Sequence, residues 1–590
     1  MKKHLFFGLA GVLALSACSS DEPIVEPGAE GGNGVQTEAG THYLAVNIVS
    51  TPSNGKAGGD QTPGDPNNNA TYEEGYASEN QVHKVRFYFF DVNGNAADVR
   101  HDNGGANFYD WKATDAGNDM PNVEKVLEAT IVISTPEGHE LPSRMMAVIN
   151  PDEEGLGNES LSVSELRART RDYVATATGT DGAFVMTNSV YAAGTTEMAW
   201  SDVTSDFYCD SEAAALAKPV NIYVERNVAK VRVTFGDSFA ENKQADGTYL
   251  IPLKDAKGNA ILVGGQQVYF KANGWNVTAA AKNGYLSKHI DSSWSSTLFG
   301  NGEPWNWGPY FRSYWAINTF ATTDWEANLT WDSYNNIGAR KFDGSLANSI
   351  YVNENAPQLT AENGVEPFTK AIIAGEICDE NGNPVEVCIY AGARMAGRDA
   401  LKTALLAQLQ QNGMIYKRTV NGTDVTYASL TTADVTFITA LEAEADGVTG
   451  SETTTGRYVV YMQLTDDAKA AQWSYSNADN QDASELISGD DANAYLKGKF
   501  ANVQIYNEGK TYYYFPIEHL GAEGNVGQYG VVRNHIYACA INTIAGLGTP
   551  VYDPDQTIYP EKPENEETYI AAKINILSWR VVNSNVDLNW

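Results

Sequence analysis

The chain has 590 residues, of which 74 are acidic and 40 are basic, and its formal net charge is −34. Such a charge argues against a nucleic-acid partner, because the phosphates would be repelled. Hydrophobic residues make up 43% of the chain and aromatic residues 11%, which excludes a wholly disordered protein. At about 150 residues per domain, the length predicts two to four folded domains.

Residues 1–17 have the pattern of a secretory signal peptide. A basic start is followed by an apolar run over 5–15, too short for a membrane-spanning helix, which needs about 20 residues. The run ends in Leu-Ser-Ala-Cys, the pattern of a bacterial lipobox. We therefore expect cleavage between Ala17 and Cys18 and acylation of Cys18, for example with palmitate, as an outer-membrane anchor of the precursor. An ordinary signal peptide with a chance cysteine is the alternative.

A flexible tether, a first strand and a long loop are predicted next. Residues 18–41 are rich in Glu, Gly and Pro and lack periodicity, which is typical of a tether. Residues 43–50 alternate between apolar and polar side chains, which predicts a strand. Residues 51–81 are rich in Gly, Pro, Asn and Asp, and Lys56 is their one basic residue. A loop of this length inside a compact domain is often functional.

Repeated hairpin signals predict a mainly β chain. A strand at 83–90 leads into Asn93-Gly94, and similar Gly-Asn turns recur at 257–259 and 381–383. Such repetition is typical of β-sandwich domains. A boundary near residue 218 precedes a second alternating strand at 228–235. We therefore expect an N-terminal sandwich over 42–217 and a C-terminal sandwich over 218–569.

Helices are expected to be few and short. The leucines of 398–411 recur every four residues, which predicts one buried helical stripe that ends at Gly413. Residues 161–173 are the second candidate helix. Neither segment has the charge pattern of a membrane-binding helix.

Two of the cysteines raise the question of a disulfide. Cys378 and Cys388 flank a predicted turn, and they either form a bond across the hairpin or remain two buried thiols. No Cys-x-x-Cys spacing occurs in the chain, so no zinc site is expected. No catalytic or cofactor motif is recognisable in the sequence, and we expect neither an enzyme nor a cofactor.

A tryptophan-rich region offers an alternative function. Aromatic rings stack on sugars, so this region would bind glycan if its rings shared one surface, whereas core packing is the simpler interpretation. Six tryptophans lie within 294–331: Trp294, Trp305, Trp307, Trp315, Trp325 and Trp331.

Several segments together resemble a known family. The lipobox, the long loop after the first strand, and the segments 224–231, 311–316, 532–537 and 574–582 resemble those of the Bacteroidales fimbrillins, and among them the shaft subunits of short fimbriae. The resemblance covers essentially the whole chain and rests on the order and spacing of these segments.

The resemblance implies two transthyretin-like β-sandwich domains and a type V pilus. In that family a lipoprotein precursor reaches the surface with its first strand filling its own groove, and a protease cuts the following loop. The C-terminal strand of a neighbouring subunit then fills the groove. The implied partners are further copies of the chain and the anchor and tip proteins of the fimbria. The family's protease is arginine-specific, yet the first arginine here is Arg86, inside a predicted strand. Lys56 is therefore the candidate cut site, unless a protease of different specificity acts.

The C-terminal residues, 570–590, have the pattern of a last strand followed by a donor strand. The donor residues share one parity: Val582, Val586, Leu588 and Trp590. An inserted strand gains a backbone ladder and pockets for alternate side chains, and each buried Val or Leu stabilises by about 1.5–3 kcal/mol. The alternative is that this tail is the last strand of its own domain.

The sequence leaves two other functions open. One is a monomeric glycan-binding lipoprotein, and the other is an anchor or tip subunit with an uncut first strand. The adhesion ligand is not specified.

Overall fold

The computed structural model describes residues 40–50, 76, 79, 81–99, 106–112, 126–135, 140–151, 156–171, 184–193, 196–290, 316–321, 324–356, 368–411, 414–445, 458–476, 486–500, 503–519, 528–560, 569–577 and 582–585. They are called the described residues below.

Strands dominate the described residues, which confirms the expected mainly β fold. The N-terminal strands are β1 (Gly40–Ser50), β2 (Lys84–Phe90), β3 (Phe108–Lys112), β4 (Val126–Thr135), β5 (Arg144–Ile149), β6 (Thr170–Arg171), β7 (Met186–Asn188), β8 (Tyr191–Ala193), β9 (Thr196–Met198), β10 (Ser201–Asp202) and β11 (Val220–Arg226). They are followed by β12 (Ala229–Phe235), β13 (Tyr249–Pro252), β14 (Leu262–Val263), β15 (Gln266–Gln267), β16 (Tyr269–Thr278), β17 (Gly284–Tyr285), β18 (Ile350–Val352) and β19 (Lys370–Cys378).

The remaining strands belong to the last third of the chain. They are β20 (Val387–Tyr390), β21 (Ala393–Ala396), β22 (Met414–Asn421), β23 (Asp424–Ser429), β24 (Val435–Thr439), β25 (Val460–Leu464), β26 (Gln472–Ser476), β27 (Leu486–Ile487), β28 (Gln504–Tyr506), β29 (Lys510–Pro516), β30 (Ile536–Ala545), β31 (Thr549–Pro550), β32 (Tyr569–Leu577) and β33 (Val582–Asn585).

The helices are short, as expected. The α-helices are α1 (Val163–Arg167), α2 (Glu212–Leu216), α3 (Trp325–Asn328), α4 (Arg398–Gln411), α5 (Ala440–Ala445), α6 (Asp466–Lys469) and α7 (Gly489–Lys499). The 3-10 helices are Ser205–Phe207, Asp237–Asn242, Tyr334–Asn336, Leu346–Asn348 and Asn507–Gly509. Among the described residues no helix is long and apolar enough to cross a membrane.

The N-terminal part is built on one large sheet. Its strand order is β3-β2-β5-β7-β11-β1-β4, with β10 attached to β5. Strand β2 pairs with both β3 and β5, and every residue from Val85 to Phe90 is buried. Both faces of this strand are therefore covered, the face of Val85, Phe87 and Phe89 and the face of Arg86, Tyr88 and Phe90.

The C-terminal part contains two five-stranded sheets. Their strand orders are β18-β12-β30-β32-β33 and β13-β16-β19-β29-β31. Val233 and Ile541 of the first sheet and Phe270 and Phe515 of the second share one core cluster. The same cluster continues into the N-terminal sheet through residues such as Phe87. The expected transthyretin-like sandwiches remain a prediction.

A unit inserted between β19 and β29 was not foreseen. It holds strands β20 to β28 and helices α4 to α7. Its separate core includes Leu401, Leu405 and Leu409 of α4, which are all fully buried. The leucine stripe and the bounds of the helix at 398–411 are therefore confirmed.

Three turns of the same construction join strands and loops. In each, an aspartate carboxylate accepts hydrogen bonds from the backbone N–H groups two and four residues later and from the side-chain amide of an asparagine. The glycine before that asparagine has a positive φ of 80° to 84°, a conformation that favours glycine. The turns are 91–95, 255–259 and 379–383. The hairpin signals read from the sequence are thus real turns.

Two expected boundaries differ from the structure. Among the described residues of the candidate helix at 161–173, Val163–Arg167 alone is helical, because Ser162 caps its start and the chain enters strand β6 at Thr170. The expected domain boundary at 218 lies before β11, which still pairs with β1 and β7 in the N-terminal sheet. The chain passes to the next sheet only between Arg226 and Ala229.

Candidate functional site

The first strand lies inside the N-terminal sheet rather than at its edge. It runs parallel to β11, with Val46 opposite Val220, and antiparallel to β4, with Val46 opposite Ala129. The side chains of Leu44, Ala45 and Val46 are fully buried. The space that β1 fills between β11 and β4 is called the strand slot here.

The floor of the strand slot is the main hydrophobic core. Leu44 and Val46 belong to this core together with Ile131 of β4 and Ile222 of β11. Ala45 is buried but lies outside that cluster. Because successive side chains of a strand point to opposite faces, Ala45 lies on the outer face of the sheet.

A short helix covers that outer face. Helix α2 packs against β1 and β4, and Ala215 is its buried residue. Ser211 caps the helix by accepting a hydrogen bond from the backbone N–H of Ala214. The slot is therefore bounded by β11, β4, the core and α2.

Strand β4, at one edge of the strand slot, relies on the strand in the slot for its backbone pairing. In the described residues β4 pairs with no strand other than β1. Its residues Ala129, Ile131 and Ile133 are buried in the core. Removing β1 would leave β4 held by side-chain packing, with the backbone groups of its inner edge open to a new strand.

The end of the long predicted loop is fixed near this site. Glu79 is buried and pairs with Lys230, whose Nζ lies 2.9 Å from Oε1 of Glu79. Tyr351 donates a hydrogen bond from its hydroxyl to the same carboxylate, and Arg226 Nε donates to the Glu79 backbone oxygen at 3.0 Å. Tyr76 faces the Lys230 ammonium, which lies 4.5 Å from its ring centre.

Burial and charge both act on the tyrosine at this anchor. Burial raises the pKa of Tyr351, and the negative charge of Glu79 raises that pKa further. Tyr351 is thus a hydrogen-bond donor over the whole physiological pH range. The loop end at Glu79 is held by the ion pair with Lys230, the Tyr351 phenol and the Arg226 guanidinium, all shielded from solvent.

The segments 224–231 and 532–537, which carried much of the resemblance, meet in the structure. Arg226 Nη1 donates to Asn534 Oδ1 at 3.0 Å, and Lys230 lies opposite Ile536 in the parallel pair of β12 and β30. Arg533 Nε donates to Glu354 Oε2 at 2.6 Å. The Arg226–Asn534 contact joins the N-terminal sheet to the C-terminal part, whereas the other two contacts lie within the C-terminal part.

The C-terminal tail is described only in part. Strand β32 pairs with β30 inside its sheet, and β33 folds back on β32 with Val582 opposite Ile576. The segment 582–585 is thus the edge strand of its own sheet in this structure. Val586, Leu588 and Trp590 lie outside the described residues, and donation to a neighbour remains a prediction. Ala17 and Cys18 at the signal cleavage site and the candidate cut site Lys56 also lie outside the described residues, and both sites remain predictions.

The two cysteines of the predicted turn do not face each other. Cys378 lies opposite Pro384, whereas Cys388 lies opposite Met395 and Ile505. Both are free, buried thiols, the second of the two alternatives. The turn at 379–383 fixes the register, which sets Cys388 too far along the following strand to oppose Cys378. Burial raises the pKa of each thiol to about 12.

Two of the six clustered tryptophans are described. Trp325 is buried and contacts Trp331 edge to face, with ring centres 5.2 Å apart. Tyr559 packs on both rings. These two tryptophans serve packing, and the other four lie outside the described residues. Within the described part of the chain no group of three or more side chains is arranged to hold a metal ion.

Two functional features were missed in the sequence. Glu79 is one acidic residue among many in an acidic chain and gives no periodic signal. Helix α2 did leave a signal, since Ser211 followed by Glu212 and three alanines is typical of a capped helix start.

The C-terminal part of the chain matches a known protein family. Residues 504–585 match the family described as major fimbrial subunit protein type IV, fimbrillin, C-terminal. This match includes β29, β30 and β32 and ends with β33. No curated protein sequence matches the chain.

Solved structures of fimbrial and putative cell adhesion proteins align along most of the chain. A fimbrillin of Porphyromonas gingivalis is 13% identical, with 92% of this chain and 98% of that chain covered and a TM-score of 0.35. A putative cell adhesion protein of Parabacteroides distasonis is 11% identical, with 92% and 100% covered and a TM-score of 0.36. A tip fimbrial protein of Porphyromonas gingivalis is 10% identical, with 92% and 100% covered and a TM-score of 0.31. Residues 504–585 thus resemble the C-terminal part of the fimbrillins.

Proposed function

We propose that the chain is the structural subunit of a surface fimbria that supports adhesion. It is made as a lipoprotein precursor anchored in the outer membrane through Cys18. A protease cuts the loop after β1, β1 leaves the strand slot, and the C-terminal tail of a neighbouring copy takes its place. The fibre is then a homopolymer that meets anchor and tip proteins at its ends.

The observation that carries this proposal is the position of β1. It is the first strand of the described residues, yet it is paired on both sides, with β11 and with β4. One cut in the loop that follows would therefore separate an internal strand from the rest of the protein. The open slot would expose backbone groups of β11 and β4, which favours refilling by another strand.

The tail has the chemistry that the slot requires. Its apolar residues share one parity, as Leu44 and Val46 of β1 do on the core side. In the monomer the tail begins in β33, an edge strand paired on one side only. Such a strand gives up fewer backbone hydrogen bonds on leaving its own sheet than an internal strand would.

Deletion of the last five residues, Val586 to Trp590, tests the donor role. We expect a folded, cut monomer that forms no fibres, since the slot of the next subunit stays empty. Circular dichroism monitors the fold, and electron microscopy and size-exclusion chromatography monitor assembly. The variant Asp587→Asn, which keeps the apolar residues, is the matched control and should polymerise. Fibres of normal length from the deletion variant would contradict the proposal.

Mass spectrometry of fimbriae sheared from cells tests the processing step. We expect a mature N-terminus between Ser50 and Tyr76, at Ala57 if Lys56 is the cut site. In that case Lys56→Ala should shift or block the cut. A wild-type subunit that still begins with acylated Cys18 would contradict the processing step and indicate an anchor or a monomer.

A further inference from the structure

The strand slot is enclosed on every side along the middle of β1. Strands β11 and β4 close its two edges, the core closes its inner face, and helix α2 closes its outer face. A strand in such a position cannot be exchanged while all four boundaries stay in place.

Helix α2 is the boundary that opens with the least loss of contact. Ala215 is its one buried residue, and the residues around it from Ser211 to Lys218 are exposed. By contrast, β4 buries Ala129, Ile131 and Ile133. The free energy needed to open a boundary grows with the apolar area that becomes exposed. Displacing α2 therefore needs less free energy than detaching β4.

The resident strand and the tail differ at the position beneath this helix. The resident strand has Ala45 on the covered face, and both Ala45 and Ala215 are fully buried. When the apolar parity of the tail faces the core, the opposite parity faces α2. That parity holds polar residues larger than alanine: Asn583, Asn585, Asp587 and Asn589.

A buried amide or carboxylate under α2 would have no room and no assured partner. Adding atoms to a packed contact forces the surrounding elements apart, and burying a polar group without a hydrogen bond is unfavourable. The tail of a second copy therefore conflicts with the closed position of α2 in each register that keeps its apolar residues on the core.

We propose that α2 is a movable cover of the strand slot, closed over the chain's own first strand and displaced when the tail of a second copy occupies the slot. This inference rests on the proposed function and adds how the slot distinguishes its two occupants. The cover is joined to β11 through residues 217–219, so its displacement need not disturb the wall beside it.

The accessibility of position 215 tests the inference. Ala215→Cys in a Cys209→Ser background is labelled with a maleimide, both in the uncut precursor and in polymer grown from cut subunits. We expect slow labelling in the precursor and fast labelling in the polymer. Ala213→Cys in the same background is the matched control, because Ala213 is exposed in the precursor and should react fast in both forms.

A second variant links the cover to the donor side chains. Tails in which Asn583, Asn585, Asp587 and Asn589 are all alanine should let α2 close again and slow the labelling of position 215. Hydrogen exchange of the Ala215 amide, which donates to the Ser211 oxygen at 3.1 Å, gives the same comparison without substitution at 215.

The outcomes separate this inference from the proposed function. A polymer in which position 215 stays as protected as in the precursor overturns the inference alone. So does a polymer in which the alanine tail leaves the labelling unchanged. Failure of cut subunits to form any polymer overturns the proposed function and the inference together.

Discussion

The carboxylate of Glu79 lies 2.9 Å from the ammonium of Lys230, and both side chains are only 1% exposed. Glu79 belongs to the end of the long loop, whereas Lys230 belongs to β12 of the next sheet. The pair therefore fixes the loop end to the junction between the N-terminal and C-terminal sheets.

Glu79→Gln should destabilise the protein strongly. Removing one partner of a buried ion pair typically lowers the free energy of unfolding by about 3–5 kcal/mol, and here it also weakens the contact to Tyr351. Urea unfolding followed by circular dichroism measures the change. The matched control is Asp490→Asn, since the Lys469–Asp490 pair has a similar distance of 2.8 Å but is exposed. Equal effects of both substitutions would contradict the anchoring role of Glu79.

Leu44→Ala should destabilise the precursor but not the mature subunit in the fibre. Truncating a fully buried leucine typically lowers the free energy of unfolding by about 2–5 kcal/mol. If β1 is absent from the polymer, the substitution cannot act there. Ile131→Ala on β4 is the control and should destabilise both forms, since β4 stays. Thermal denaturation of precursor and polymer for each variant makes the comparison. A polymer weakened by Leu44→Ala would mean that β1 is retained.

The ion pair between Arg86 and Asp110 should make stability depend on acid pH. Burial alone would raise the pKa of Asp110, but hydrogen bonds from Arg86 and Lys84 outweigh it and hold that pKa below its ordinary value of 3.8. The unfolded chain then binds the proton more readily. The stabilisation is therefore complete above pH 3.8 and is lost as the pH falls through the lower pKa of the folded state.

Asp110→Asn measures this contribution. The difference in urea midpoint between the wild-type chain and the variant should stay constant from about pH 7 to about pH 5 and then narrow in more acidic solution. A difference that does not change with pH would assign the effect of the substitution to packing.

Thiol labelling should distinguish Cys209 from the other cysteines of the folded domains. Cys209 is half-exposed, whereas Cys378, Cys388 and Cys539 are buried. Burial raises the pKa of Cys539 as well, so the three thiols stay protonated and shielded at neutral pH. In the chain from Ser19 onward, a disulfide reagent should give one fast reaction, which Cys209→Ser removes. The remaining three should react only after denaturation, and fewer than three would indicate a disulfide.

Local pattern was sufficient to predict several elements. Alternating side chains located β2 and β12 within a residue or so of their ends, and the leucine spacing located α4. The Asn-Gly and Gly-Asn turns were also predictable, since a positive φ at glycine and an aspartate that binds its own loop are local features.

Contacts between distant parts of the chain could not be predicted in this way. The parallel pairing of β1 with β11 joins residues 46 and 220, and nothing in either strand specifies the other. The inserted unit between β19 and β29 begins after a turn, 379–383, of the same construction as those between other strands, so local pattern does not predict its separate core. Lys230 is a polar residue of an alternating strand, yet it is buried because its ammonium pairs with the carboxylate of Glu79 from a distant loop.

The parallel alignment of β1 with β11 has a consequence for the whole assembly. A tail that replaces β1 in the same orientation relates each subunit to the next by the same translation and rotation, head to tail. Such a contact does not close on itself and generates an open filament rather than a symmetric pair. The two ends of the proposed fimbria therefore differ chemically. One end presents an empty strand slot and the other an unbound C-terminal tail. A molecule that blocks one end cannot block the other by the same contact.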